Sequence, residues 1–300
     1  MRALVTGGAG FVGGHVARVV QNAGHEVLVF DQADVADMPA IKGDLLNPND
    51  VLEAVSGVDA ICHLGAVGDV YLAFERPALA AQVNAVGTAN IMEAAKQAGT
   101  RKVVYASTWE VYGEPKYTPI DERHPTNPDH PYNITKLAGE HLVRSYDKLK
   151  GVPTVSLRLG TAYGTGMRPN AVIPVFVGKA ARGEPITISG SGRQGRQFTH
   201  ASDIGAAFVL ALESDVRGEV FNIVGDEVVS IRDLAEAVVR RLPTQVTYGE
   251  ARLGDVPSAV VSNQRARQVF GWQPAMTFEQ GLDELIVWQL RRTTASSITP

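Results

Sequence analysis

Tyr132 and Lys136, four residues apart in the segment YNITK, are the pair whose chemistry is easiest to read. The segment has a helical pattern, and residues at i and i+4 share one helix face, so an ammonium can lie beside a phenol. An unperturbed tyrosine has a pKa of about 10, and a neighbouring positive charge lowers it. A phenol acidified in this way is a usable general base near neutrality. Thr108 closes the apolar run VVYAST, where its hydroxyl can bridge a substrate hydroxyl and Tyr132. A Tyr-x3-Lys pair alone is weak; its weight comes from what precedes it in the chain.

What precedes it is the segment LVTGGAGFVGGHV, with Gly7, Gly10 and Gly13 between an apolar run and an amphipathic stretch. Gly7 suits a tight turn, Gly10 lets the backbone approach a pyrophosphate, and Gly13 permits close helix–strand packing. The helix that follows directs its N-terminus at the anion. Asp31 ends the second apolar run, close to the ~20-residue offset of a ribose-binding carboxylate. A carboxylate there accepts from a 2′-hydroxyl and repels a 2′-phosphate. Gln32, Ala33 and Asp34 bring no arginine, so NAD is expected over NADP. Asp44, in KGDLLN, is a candidate for bonding the adenine.

The elements that must hold these groups alternate. RALVTG, EVLVFD, DAICHL, KVVYAS and TVSLRL are short, nearly continuous apolar runs of the kind that suit strands covered on both faces. Helical patterns separate them: FVGGHVARVVQNAG, PALAAQVNAVGTANIMEAAKQAG and YNITKLAGEHLVRSYDKL. That order predicts an α/β Rossmann fold with a doubly wound parallel sheet. After Gly160 the texture changes to a smaller mixed α/β portion. GTAYGTGMRPN and SGSGRQGRQ read as loops, AVIPVFVGKAARGE as a helix and PITIS as a short strand. FTHASDIGAAFVLALES reads as a helix and EVFNIVG as a strand. Helices are expected over 230–242, 264–270 and 278 to about 291, with the last residues frayed. The division expected is a dinucleotide-binding domain over 1–165 with a returning segment near 196–224, and a substrate domain over 166–300.

The 300 residues, 45% of them hydrophobic, suffice for a large core. Lys and Arg number 28 against 32 Asp and Glu, a net charge of −4 that gives no footing for nucleic acid or an anionic membrane surface. Cys62 is the single cysteine, which excludes an internal disulfide and multi-cysteine metal sites; it reads as a buried strand residue, and no metal is expected. No apolar stretch reaches the ~20 residues of a membrane span. The opening MRALVTGGAG meets glycines too early for a signal peptide, so a cytoplasmic protein is expected.

Taken in order, TGGAGFVGGH, Asp31, HLGA at 63–66, NAVGT at 84–88, STWEVYG, YNITK, LRLGTAYG, QGRQFTHASD and RLGD resemble the extended short-chain dehydrogenase/reductases. The resemblance is to their nucleotide-sugar epimerase/dehydratase family, typified by UDP-glucose 4-epimerase, and it covers nearly the whole chain. It implies NAD held permanently or nearly so. Phe11, Val12, Leu45, Leu64, Gly65, Ala66 and Asn84 would line the cofactor together with the glycines, Asp31, Asp44, Tyr132 and Lys136. It further implies Arg196 and Arg252 on a nucleotide diphosphate, with Arg193 as a weaker candidate and Thr161 near the substrate phosphate. A homodimer packing the helices near 77–98 and 131–149 is also implied.

The reaction is less determined than the family. Removal of a hydroxyl proton by Tyr132, made a usable base by Lys136 and the added positive charge of oxidised nicotinamide, with hydride leaving the same carbon, suffices for a 4-epimerase. A 4,6-dehydratase or a decarboxylase needs more acid–base chemistry, and relatives of those types resemble Thr-Asp-Glu or Thr-Ser-Glu where this chain has Thr108-Trp109-Glu110. Glu110 keeps the shared carboxylate; Trp109 cannot carry a proton. Thr161 stands where many relatives have Asn, and Gly65 where alanine is commoner. Epimerisation asks least of the residues present and is the expected activity. The alternatives are elimination or decarboxylation through Glu110, a reductase or dehydrogenase for a substrate that is not nucleotide-linked, and a non-catalytic NAD-sensing scaffold. The last has no need of Thr108, Tyr132 and Lys136.

Overall fold

A computed structural model of the chain describes residues 1–250 and 259–296, with side chains described through residue 292. The first half runs β1 (Arg2–Thr6), α1 (Phe11–Asn22), β2 (Glu26–Asp31), β3 (Ala40–Lys42), α2 (Pro48–Val55) and β4 (Ala60–His63). Next come α3 (Val70–Glu75), α4 (Pro77–Ala81), a π turn (Gln82–Gly87), α5 (Thr88–Ala98), β5 (Lys102–Thr108) and a 3₁₀ turn (Trp109–Tyr112). The chain continues through α6 (Pro131–Lys150), β6 (Thr154–Leu159), β7 (Thr161–Tyr163), α7 (Val172–Ala181), β8 (Ile186–Ser189), β9 (Gly195–Arg196) and β10 (Phe198–His200). It closes with α8 (Ala201–Glu213), β11 (Glu219–Ile223), β12 (Val229–Ser230), α9 (Ile231–Arg241), β13 (Val246–Gly249), α10 (Gln264–Phe270) and α11 (Phe278–Ser296).

Seven strands form one parallel sheet in the order β11-β6-β5-β4-β1-β2-β3. The chain winds outward in one direction from β1 to β3, then restarts at β4 on the other side of β1. The crevice between β1 and β4 is therefore the switch point where such sheets bind ligands. The apolar runs are strands for the reason their pattern implies: all seven residues of β5 are buried, because helices cover both faces. On one face α1 and α8 bring Val16, Val20, Ile204 and Phe208 against β1, β5 and β6. On the other, α2, α5 and α6 bring Val51, Ile91, Met92 and Val143. A second core joins Tyr163, Ile173, Phe176, Ile186, Leu234, Val238, Leu282 and Leu285, contributed by β7, α7, β8, α9 and α11.

The structure differs from the sequence expectation at four segments. Thr161–Tyr163, expected as loop, is β7, and Phe198–His200, expected to open a helix, is the parallel strand β10 beside it. Gly195–Arg196, also expected as loop, is β9, antiparallel to β12. Strands of two or three residues carry too little alternation to register as a period. The last helix runs through Ser296 rather than fraying near 291. Among the described residues no helix is long and apolar enough to cross a membrane.

Candidate active site

The glycine turn has the geometry that a dinucleotide needs. Gly7 has φ +74°, a left-handed conformation that side chains rarely adopt, and its N–H donates to the Phe30 carbonyl at 2.9 Å. A Cβ on Gly13 would lie 2.0 Å from the Gly7 carbonyl oxygen, so α1 reaches the turn this closely only with glycine there. Helix α1 begins at Gly10 with no side-chain cap and no acidic residue in its first turn. Its first N–H groups are therefore left for an anion, and the helix dipole favours one. Phe11 and Val12 send their side chains away from that turn, Phe11 to the second core and Val12 to the main one. Only their backbone is left for the anion.

Asp31 stands at the end of β2, half-buried, as its position requires. Its carboxylate also braces the turn, accepting from Ala9 N and Ala33 N at 3.0 Å each. Asp44 is engaged too, accepting from Leu46 N at 2.9 Å. Leu45 is buried behind the β4 turn, so close that a Cβ on Gly65 would lie 2.8 Å from its Cδ1. That packing is why glycine occupies position 65. Leu64 and Gly65 both donate from backbone N–H to Thr6 Oγ1, at 3.2 and 2.9 Å, fixing the turn after β4 to the end of β1. Ala66 sits half-buried beside them. Asn84 lies in the π turn, a feature with no sequence signature that often re-aims a functional side chain. Its carboxamide accepts from Val67 N at 2.7 Å and donates to Thr135 Oγ1 at 3.0 Å. It thus clamps the HLGAV loop to α6, a bracing role the sequence did not disclose.

Helix α6 starts at His130, whose ring accepts from Tyr132 N, with Pro131 in the first turn. The helix lies on β5 and β6, and the Tyr105 hydroxyl donates to the Lys136 carbonyl at 3.1 Å. One turn further on, Glu140 accepts from Arg158 Nε at 3.0 Å, Arg158 Nη2 at 2.6 Å and Ser107 Oγ at 2.6 Å. Ser107 adjoins Thr108, so this buried trio sets the height of α6 against the end of β5. Thr108, 7% exposed, accepts through Oγ1 from Glu110 N at 3.3 Å.

The electrostatics of the protein without cofactor are dominated by burial. Tyr132 keeps part of its surface open, yet burial of its phenol dominates and pushes the pKa above 10; Glu110 raises it further and Arg168 lowers it. The Lys136 ammonium is itself desolvated, with its pKa brought down to about 7 by burial and supported from the other direction by Glu140. Spacing puts the pair on one face, but spacing says nothing of the desolvation that both groups share. The protein alone does not acidify the phenol. Glu110 is half-buried, and burial raises its carboxyl above the usual range while Arg196 opposes and Asp129 reinforces that rise.

Arg196 donates to its neighbour's carbonyl at 2.8 Å and lines a small cavity with Trp109, Gly160, Gln197, Val224 and Val261. Thr161, on β7, is half-buried one strand position from this cavity. Arg193 is exposed on the loop before β9. Arg252 lies outside the described residues. Arg168, in a glycine-rich loop with no motif to mark it, pairs with Asp69 of the loop after β4 and is close enough to influence Tyr132. Among the described residues no group of His, Cys, Asp and Glu is placed to hold a metal ion. The uncapped α1 terminus, the Gly13 close approach and Asp31 at the strand end all fit NAD.

Known proteins share this fold. Residues 3–224 match the model of the NAD dependent epimerase/dehydratase family. A UDP-glucose 4-epimerase of Mycolicibacterium smegmatis is 32% identical, over 95% of this chain and 97% of that one. A dTDP-glucose 4,6-dehydratase of Streptomyces niveus is 30% identical, over 96% of this chain and 92% of that one. The solved structure of MoeE5 in complex with UDP-glucuronic acid and NAD superposes with a TM-score of 0.90 at 32% identity, covering 97% of this chain and all of the other. The chain is an enzyme of the NAD-dependent epimerase/dehydratase family, with an extended short-chain dehydrogenase/reductase fold and NAD as its cofactor.

Proposed function

We propose that the protein is a nucleotide-sugar 4-epimerase. NAD when bound supplies a hydride acceptor and donor; the chain's own residues deliver the proton chemistry and hold the substrate. Tyr132 takes and returns the proton of the sugar hydroxyl, Thr108 bonds that hydroxyl, and Lys136 stabilises the charged form of the phenol. The glycine turn, Asp31, Asp44 and the 63–66 loop hold the dinucleotide. Thr161, Arg196 and Arg252 hold the nucleotide diphosphate, which suits planar guanidinium donors. The division into a cofactor domain over 1–165 and a mainly substrate domain over 166–300, a homodimer through the helices near 77–98 and 131–149, and a cytoplasmic location belong to the same proposal.

The observation that carries this reading is Trp109. It packs against Tyr112, Ile120, Val224 and Val261, where dehydratases resemble Thr-Asp-Glu. An indole there supplies no proton, so the second acid–base pair that elimination needs is incomplete. The test is incubation of the purified protein, without added NAD, with a panel of UDP- and dTDP-sugars, followed by NMR of the products. Interconversion of 4-epimers supports the reading; a 4-keto product or carbon dioxide refutes it.

Glu110 favours a second reading, elimination or decarboxylation. Its carboxyl is raised by burial, so it holds a proton nearer neutrality than a solvated carboxyl would. Glu110→Gln abolishes either of those activities and spares simple epimerisation.

A further inference from the structure

Lys136 is 3% exposed, and the groups facing it decide whether it stays charged. On its own helix Tyr132 shares its face by i, i+4 spacing, and one turn on stands Glu140, whose oxygens are bound by Arg158 Nε, Arg158 Nη2 and the Ser107 hydroxyl. That carboxylate shares its charge with Arg158 of β6, which stands at the same site. From β4 comes His63, fully buried and bonded through Nδ1 to Thr6 Oγ1 at 2.7 Å and through Nε2 to Thr88 Oγ1 at 3.0 Å. Burial and the Lys136 charge bring its pKa down to about 3, so it is neutral and offers the ammonium nothing. Glu110, in the turn after β5, bears on Tyr132 rather than on Lys136. From β5 comes Tyr105, and the Lys136 ammonium nitrogen lies 4.3 Å from the centroid of its ring.

Tyr105 is held at both ends. Its hydroxyl donates to the Lys136 carbonyl, and it reaches that carbonyl only because residue 139 is glycine: a Cβ there would lie 2.3 Å from the phenolic oxygen. The centroid of the His63 ring lies 5.6 Å from that of Tyr105. Burial raises the Tyr105 phenol well above 10, so the ring stays neutral and its face keeps the negative quadrupole that attracts a cation.

We propose that Tyr105 is a positioning residue for the reaction: its ring is the platform that carries the Lys136 ammonium beside the phenol of Tyr132, and its hydroxyl fixes the helix turn from which Lys136 projects. It acts through Lys136 and touches no substrate. The inference rests on the reading of Lys136 as part of the proton-transfer site, but its primary readout does not depend on turnover.

That readout is the Lys136 pKa, followed by NMR titration of protein labelled with [13Cε]lysine and assigned with Lys136→Arg. Tyr105→Phe keeps the ring face and leaves the pKa within about 0.3 unit. Tyr105→Leu removes it and lowers the pKa by about one unit, with the alkaline limb of the kcat profile moving down by the same amount. Should Tyr105→Leu fail to fold, phenylalanines of increasing fluorination at position 105 weaken the ring quadrupole without changing its shape, and the pKa falls stepwise along the series. A pKa unchanged in Tyr105→Leu, or flat across the fluorinated series, overturns the proposal. A responsive pKa in a protein without epimerase activity leaves it standing and removes the functional reading instead.

Discussion

Changing Glu140 to Gln severs the charge pairing at the centre of the molecule and leaves the Arg158 guanidinium buried. The side chains of Arg158 and Glu140 are 6% and 3% exposed, and two of the three hydrogen bonds Glu140 accepts come from Arg158. Arg158 Nη1 already has no hydrogen-bond partner, so the guanidinium has no reserve of donors satisfied elsewhere; the Tyr112 ring, 4.6 Å from its carbon, is its other support. Breaking one side of a buried pair costs about 3–5 kcal/mol. Unfolding entropy of about 2.1 cal/mol/K per residue gives about 0.6 kcal/mol/K for a chain of this length, so the expected fall in Tm is about 5–8 °C. The assay is differential scanning calorimetry of the NAD-loaded protein with Glu140→Gln, Arg158→Met and the double variant Glu140→Met/Arg158→Met. The double variant, which strands no charge, falls less than either single one. A Tm change below about 2 °C in Glu140→Gln, or a double variant as unstable as the two singles added, would refute the pairing argument.

Tyr132→Phe lowers kcat by about 10²–10⁴, the usual worth of a positioned acid–base group, while NAD content measured after denaturation stays that of the parent; unchanged turnover removes Tyr132 from the chemistry. Gly13→Ala forces its methyl against the Gly7 carbonyl and abolishes NAD retention, read from the absorbance of released cofactor. In cofactor-free protein the folded Lys136 pKa of about 7 lies below its unfolded value of about 10.4. The unfolded chain therefore binds more protons between those values, and this group's penalty on folding shrinks as pH rises from 7 to 10. Lys136→Met should accordingly be more stable than the parent at pH 6–7, with the advantage fading towards pH 10 in urea titrations. A constant difference across that range would contradict the burial of the ammonium.

The sheet was legible because each of its long strands is buried on both faces and so is written as an unbroken apolar run. LVT, VLVF, AICH, VVYAS and TVSL could hardly be anything else between helical stretches. The glycine turn was legible because three backbone requirements coincide within seven residues. What escaped notice depends on neighbours distant in sequence. Asn84 shows no sign of its clamp because the π turn that aims it has no residue code. Tyr105 reads as one more apolar strand residue, and only the approach of α6 reveals that its ring lies under an ammonium. The desolvation of Tyr132 and Lys136 is hidden for a related reason: i, i+4 spacing reports adjacency, whereas desolvation depends on everything packed around both groups.

One edge strand of the main sheet, β11, enters beside β6 only after the chain has left to build β7, α7, β8, β9 and β10, with α8 laid against α1 on the way back. Cutting the molecule after Leu159 would expose the flank of β6 and strip α1 of its cover, so neither half can be lent to another protein intact. Variation in loops such as 164–171 and 190–194 must therefore come by substitution in place, the main sheet being stitched through the very segment that carries them.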